Sequence, residues 1–288
     1  NVLKLFKYQF NMKKQKKRTK KKRGKIVKKI KHKKSKAKKS ASKNKFVKKK
    51  VKKSKKIANK NARVKTGIAN FDKLIEGGFD SGSVNLIVGS SGSAKTIFST
   101  QFLIEGLKRG EGVLYITFEE SKKDFFENMA DFKWDLDKFE KSGKFTFLEY
   151  SPEKIKMMLD EGGGEVESIV LKKNIKRIVI DSLSSFSLLF KESSEKRQNI
   201  NSLFDILRKW DCTALLTFQS DSSNEKKEYL AEIQADSCIL LHFDKIKGKR
   251  IRAIEILKMR GTDHSTDTYS LDIGKTGIKI GKKINLKR

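Results

Sequence analysis

Acidic residues are missing altogether from the first 63 positions of this 288-residue chain, which hold 31 Lys and Arg. The whole sequence has 68 basic and 34 acidic residues, so residues 64–288 keep 37 basic against 34 acidic, a net of +3. The chain is therefore a polycationic tail on a nearly neutral body. That body is long enough to bury a full core on its own. Long apolar runs are missing too. No stretch of ~18 apolar residues exists, which excludes a transmembrane helix, and the N-terminus lacks the apolar core of ~7–15 residues that a secretory signal needs. Cysteine and histidine are scarce. Cys212 and Cys238 lie in strand-like stretches without metal-ligand spacing and read as reduced core thiols of a cytoplasmic protein. His32, His242 and His264 are far apart in sequence, which argues against a zinc site.

The tail, residues 1–62, is dominated by lysine from Met12, the first methionine, to Lys60. Residues 1–11 are assigned no role. Such a run repels itself and buries too little apolar surface to fold alone, so disorder is expected. Lysine is a point charge without a planar fork, and its contacts to nucleic acid are to phosphates and blind to sequence. Non-specific binding to an anionic polymer stands against an idle solvated tail or a membrane-surface contact.

Across residues 63–288, apolar strand-like runs alternate with helical patterns, which argues for an α/β fold with a parallel sheet. Strands are expected at Val84–Gly89, Val113–Phe118, Phe145–Glu149, Arg177–Asp181 and Ala214–Phe218. Helices are expected after Lys95 and over Lys123–Phe132, Val166–Lys173 and Arg197–Trp210. After Ala235 the strands Ser237–His242, Ile251–Met259, Tyr269–Asp272 and Gly277–Ile280 read as antiparallel, joined by turns at Asp244–Lys249 and Gly274–Thr276.

Gly89-Ser90-Ser91-Gly92-Ser93-Ala94-Lys95-Thr96 follows a strand and opens a helix, the context that a phosphate-binding loop requires. Small residues let backbone N–H groups wrap phosphates, and the helix N-terminus adds a favourable dipole. Lys95 is placed to reach the β- and γ-phosphates, and Thr96 to offer its hydroxyl to Mg²⁺. Ala94 stands where the pattern has Gly. The bland alternative is a Gly/Ser-rich turn with a chance Lys-Thr. Ile178–Asp181 is an apolar strand ending in a carboxylate, which in a nucleotide-binding sheet holds the water shell of Mg²⁺.

Glu119 and Glu120 end the strand Val113–Phe118 and read equally as carboxylates that polarise an attacking water or as acids at a solvated helix N-terminus. Lys258 and Arg260 share one strand face by their spacing of two. They could contact a γ-phosphate, and local reasoning leans towards surface ion pairs.

These residues resemble the KaiC-like branch of the RecA superfamily, in its single-domain archaeal form. The resemblance runs from Val64-Lys-Thr-Gly-Ile-Ala-Asn-Phe-Asp-Lys-Leu-Ile-Glu-Gly-Gly-Phe79 to about Ile280. It includes Phe118-Glu-Glu-Ser121, Trp134-Asp-Leu136, Ala235-Asp236 and Lys258-Met-Arg-Gly-Thr-Asp-His264. It implies a RecA-like core that binds ATP and Mg²⁺, with Glu119 and Glu120 as the catalytic carboxylates and Glu120 orienting water. It also implies a hexameric ring in which Lys258 and Arg260 reach the neighbouring subunit's γ-phosphate, and a γ-phosphate sensor at Gln219 or Thr217. The clock protein of that family has two such domains and a Ser-Thr phosphoacceptor pair. Here Tyr229-Leu-Ala-Glu-Ile-Gln-Ala235 has no adjacent hydroxyls, so autokinase clock function is not expected. By the same resemblance Ser182–Asn199 and Asp221–Glu228 are the central loops of a ring. Phe186 and Phe190 are their only aromatics, a poor stacking groove for single strands.

The leading expectation is a slowly hydrolysing ring ATPase acting as a nucleotide-dependent switch, with nucleic acid contacted through the tail. The alternatives are a recombinase paralogue that modulates DNA repair and a non-hydrolysing, ATP-gated scaffold for a signalling or transcription partner.

Overall fold

Every residue of Val84–Gly89 and of Gly112–Thr117 is buried, as expected of parallel strands covered by helices on both faces. The computed structural model describes residues 62–220 and 230–286. The strands are β1 (Arg63–Val64), β2 (Phe79–Asp80), β3 (Val84–Gly89), β4 (Gly112–Thr117), β5 (Phe145–Glu149), β6 (Ile175–Asp181), β7 (Thr213–Gln219), β8 (Ser237–Ile246), β9 (Lys249–Met259), β10 (Tyr269–Gly274) and β11 (Gly277–Lys283). The helices are α1 (Lys95–Lys108), α2 (Lys122–Met129), α3 (Leu136–Lys141), α4 (Pro152–Asp160), α5 (Gly164–Lys172), α6 (Leu183–Ser187), α7 (Ser193–Lys209) and α8 (Leu230–Gln234).

β1 pairs with β2. The other nine strands form one sheet in the order β11-β10-β9-β8-β3-β7-β6-β4-β5. From β8 to β5 the neighbours are parallel, and from β8 to β11 they are antiparallel. The expected architecture, a mostly parallel sheet with helices and C-terminal antiparallel strands, is the one observed.

Side chains alternate across a strand, and this alternation divides the core in two. Leu86 and Val88, Leu114 and Ile116, and Ile178 and Ile180 pack on one face with Ile155, Val166 and Leu203 of α4, α5 and α7. Ile87, Tyr115, Val179 and Leu215 pack on the other with Phe98 and Phe102 of α1. Each of those two phenylalanines is fully buried, worth roughly 1.5–3 kcal/mol. Thr117, Asp181 and Thr217 have the parity of the α1 face, and Thr117 pairs with Asp181 in register. The polar strand ends thus point at the helix that follows the phosphate loop.

The structure shifts several expected boundaries. α7 begins a turn earlier than Arg197, on a polar stretch without an apolar stripe. The expected turn Asp244–Lys249 contracts to Lys247 and Gly248 (φ 50° and 82°), with Asp244 to Ile246 paired in the ladder. Two positive φ values suit a two-residue hairpin loop. Arg260 falls one residue past the end of β9, where its N–H donates to Asp236 O and the chain turns at Gly261. The segment after Asp181, expected as a loop, contains α6, and Phe186 and Phe190 are buried edge-to-face at 5.1 Å. Helices α3 and α4 were not anticipated, although Ser151 caps α4 and Pro152 opens it, a signal legible in sequence. Cys212 and Cys238 are buried, and burial pushes both thiols up to about 12. The tail and the loop Asp221–Glu228 lie outside the described residues. Among the described residues no helix is long and apolar enough to cross a membrane.

Candidate nucleotide site

The phosphate-loop sequence sits between the C-terminal end of β3 and the start of α1. Its close packing explains its small residues. A Cβ on Gly89 would lie 2.5 Å from both Leu241 O and Ser93 Oγ. Gly92 has φ +77°, and a Cβ there would lie 3.0 Å from the Phe243 ring. Ala94, where the pattern has Gly, adopts φ 83° and ψ 27° at the N-cap of α1. A left-handed conformation costs an L-residue roughly 1–2 kcal/mol, so the extra methyl is accommodated under strain. Arg252 Nε donates to Gly92 O at 2.8 Å, and its guanidinium lies 4.5 Å from the Phe243 ring. Neither contact was anticipated, because both depend on how β8 and β9 pass the loop.

Lys95 Nζ donates to Gly89 O at 2.9 Å and Ser90 O at 3.1 Å. Burial lowers the pKa of this ammonium, opposed by the charges of Asp181 and Glu119. Thr96 Oγ1 donates to Asp181 Oδ2 at 2.8 Å. Asp181, 8% exposed, also accepts from Tyr115 Oη at 2.8 Å and, in a short hydrogen bond, from Thr217 Oγ1. Thr217 is fully buried with its hydroxyl turned to Asp181, which removes it as a direct reader of a phosphate. Gln219 is exposed at the end of β7, and its N–H donates to Ser184 Oγ at 2.7 Å.

Glu119 Oε1 accepts from Ser182 Oγ at 2.6 Å and Ser185 Oγ at 2.7 Å. The two serines were not singled out in sequence, although hydroxyls directly after a strand-ending carboxylate are a readable signal. Burial raises the Glu120 carboxyl above its ordinary pKa. The Asn128 hydrogen bond opposes this, and the charges of Asp181, Asp124 and Glu119 add to it. A cavity of about 380 Å³ is lined by Thr96, Thr117, Glu119, Glu120, Asn128, Met129 and Asp181. Another of about 320 Å³ is lined by Ser91, Gly92, Ala94, Lys95 and Gln219 and shares Thr96, Glu119 and Asp181 with the first. These residues, read separately in the sequence, are brought together.

Lys258 and Arg260 are placed elsewhere. Lys258 Nζ donates to Glu232 O and Ile233 O, and Arg260 donates to Ile233 O at 2.7 Å. They cap the last carbonyls of α8, as cations at a helix C-terminus do, and Arg260 also pairs with Asp236 at 3.6 Å.

Mg²⁺ takes one or two protein oxygens, completing its shell with phosphates and water. Thr96 and Asp181 fit that requirement: both donors are hard oxygens, in contact, on a cavity wall. No group of three or more His, Cys, Asp or Glu among the described residues forms a self-sufficient metal cage.

The family model described as "ATPase: KaiC" matches residues 64–285. The chain is 37% identical over 226 residues to the circadian clock protein KaiC3 of Synechocystis sp., covering 75% of this chain and 45% of that protein. Against the UPF0273 protein of Thermotoga maritima it is 35% identical over 232 residues, 75% of this chain and 94% of the relative. A crystal structure of a KaiC-like protein from the hyperthermophilic archaeon Pyrococcus horikoshii OT3 superposes with a TM-score of 0.69 at 34% identity, covering 77% of this chain and 99% of that one. The chain thus spans less than half of KaiC3 and nearly all of the Thermotoga protein. With the phosphate loop, the strand-ending Asp181 and the Glu119–Glu120 pair on one sheet edge, the chain belongs to the KaiC family of ATPases in the RecA superfamily.

Proposed function

We propose that this chain binds ATP with Mg²⁺ at the C-terminal edge of its sheet, hydrolyses it slowly and works as a nucleotide-dependent switch. The observation that carries this reading is convergence: Lys95, Thr96, Glu119 and Asp181, from three different strand ends, line one cavity. Lys95 exchanges the carbonyls of its own loop for phosphate oxygens. Thr96 and Asp181 hold Mg²⁺, which supplies neutralisation of the developing phosphate charge. Glu120, the less tightly bonded carboxylate of the pair, orients and deprotonates the attacking water. Glu119, held by Ser182 and Ser185, keeps that carboxylate in place. Gln219 reads the γ-phosphate from the cavity wall. Lys258 and Arg260 complete the site of a neighbouring copy in a hexameric ring.

The strain at Ala94 supports slow turnover, and it also favours the alternative of an ATP-gated scaffold that barely hydrolyses. The recombinase-paralogue reading is weaker, since the buried Phe186 and Phe190 offer no stacking surface. Any nucleic acid is held instead by the lysine-rich residues 1–62, through phosphates and without sequence preference. The site of action in this reading is the cytoplasm.

The test is ATP turnover per subunit across a range of protein concentrations, with and without single-stranded DNA. We expect the rate to climb with concentration and to lose that dependence in Lys258→Ala. Bound ATP with no turnover at any concentration favours the scaffold. DNA affinity that survives deletion of residues 1–62 places the contact elsewhere. Lys95→Ala should no longer bind nucleotide, and tight binding by that variant overturns the whole reading.

A further inference from the structure

We propose that Tyr115 and Thr217 are positioning residues whose hydroxyls lock the carboxylate of Asp181 in the one orientation that meets Mg²⁺. The inference rests on the Mg²⁺–ATP reading of the site. β6 is flanked by β4 and β7, and each neighbour sends one hydroxyl to the end of β6. Tyr115 donates to Oδ2 from one side at 2.8 Å, and Thr217 donates to Oδ1 from the other. The terminal torsion of aspartate is broad and sets no orientation by itself. Two donors on different oxygens, from opposite strands, fix the carboxylate plane. Both donors are fully buried, so water does not substitute for either of them.

The donors are themselves held. The Tyr115 ring stacks on Phe147 of β5 at 5.3 Å with an interplanar angle of 6°, and lies 4.6 Å from Phe125 of α2. Thr96 is the third donor to Asp181 and the one that faces the cavities. The two buried donors keep the carboxylate aimed at Thr96 whether or not the cavity is filled. α2 also carries Asn128, which donates to Glu120 at 3.4 Å, so one aromatic cluster supports both the metal side and the water side of the site.

Tyr115→Phe removes one oxygen and keeps the ring, and Thr217→Val replaces the hydroxyl with a methyl of similar size. The experiment measures two affinities in the full chain. One is that of a non-hydrolysable ATP analogue in EDTA, and the other is that of Mn²⁺, followed by electron paramagnetic resonance, in the analogue complex. Loss of an outer-shell partner typically weakens a metal about 10–100-fold. We expect each variant to bind Mn²⁺ about tenfold more weakly with its metal-free analogue affinity unchanged. A purely structural role moves both affinities together, and that result overturns the proposal, as does unchanged Mn²⁺ affinity in both variants. If one variant fails to fold, the other decides. A wild-type chain that binds analogue and Mn²⁺ normally confines such a failure to this proposal. A wild-type chain that binds neither overturns the Mg²⁺–ATP reading along with it.

Discussion

Glu119 and Glu120 are adjacent in the chain and unlike in surroundings: Glu119 Oε1 is clamped by two serine hydroxyls at 2.6 and 2.7 Å, whereas the Glu120 carboxylate, among the described residues, accepts a single long hydrogen bond from the Asn128 amide at 3.4 Å. A carboxylate oxygen that accepts two short hydrogen bonds is a weaker base, because those bonds stabilise its ionised form. One with a long, weak bond and a raised pKa is better suited to accept a proton. The assignment of the attacking water to Glu120, proposed above, rests on this asymmetry with its neighbour.

Glu120→Gln should retain ATP and lose turnover by about 10²–10⁴-fold, the usual contribution of a general base. Glu119→Gln should cost less, because it weakens two hydrogen bonds without removing the base. Phosphate release under single-turnover conditions separates the two, and an undiminished rate in Glu120→Gln means the carboxylate is structural.

The acid limb of turnover should lie above the ordinary carboxylate value of 4.5, since burial raises Glu120. The base works ionised, so activity falls as pH drops through that raised value, and the limb should vanish from the residual activity of Glu120→Gln. The sign for stability runs the other way. The folded state holds this proton more tightly than the unfolded one, so its contribution is favourable at low pH and is lost as pH rises from 4.5 through the folded value. A pH–rate profile paired with urea midpoints over the same range checks both signs.

Ala94→Gly should relieve the left-handed strain of roughly 1–2 kcal/mol while adding about 0.4–1 kcal/mol of freedom to the unfolded chain. Net stability should therefore rise by roughly 0–1.6 kcal/mol. Nucleotide affinity or turnover should rise several-fold, because the loop no longer resists its own geometry. Calorimetric titration with ATP reads this directly, and an unchanged affinity and rate would show that the methyl is neutral.

Arg177→Ala tests the opposite edge of the sheet. Arg177, 1% exposed, donates to Glu111 Oε2 at 2.6 Å, to Lys65 O at 2.7 Å and to Phe102 O at 2.8 Å. Glu111 keeps part of its carboxylate in water, so breaking the pair should cost no more than the lower end of the roughly 3–5 kcal/mol seen for fully buried pairs. Arg177 lies four residues before Asp181 on β6, roughly 13 Å away, so nucleotide affinity of the folded variant should be unchanged. Denaturant unfolding and nucleotide titration on one preparation give both answers.

The sequence by itself determined the sheet and the place of the phosphate loop. Runs such as Val84–Gly89 and Arg177–Asp181 are largely apolar without alternation because helices cover both faces, and Gly, Ser, Lys and Thr follow the first run in the pattern that a phosphate-binding loop requires. Those are local requirements, and local sequence expresses them. What surrounds each carboxylate was decided only by tertiary structure. Tyr115, Thr217, Ser182 and Ser185 look like ordinary strand and loop residues until parallel pairing brings β4 and β7 alongside β6 at a fixed register. The strain at Ala94 was equally invisible, since a dihedral angle belongs to the packed loop and not to the residue type. Lys258 and Arg260 complete the contrast: their spacing hinted at one shared target, but only the placement of α8 showed which carbonyl they meet in this chain. Register and packing act between residues distant in sequence, and no local pattern records them.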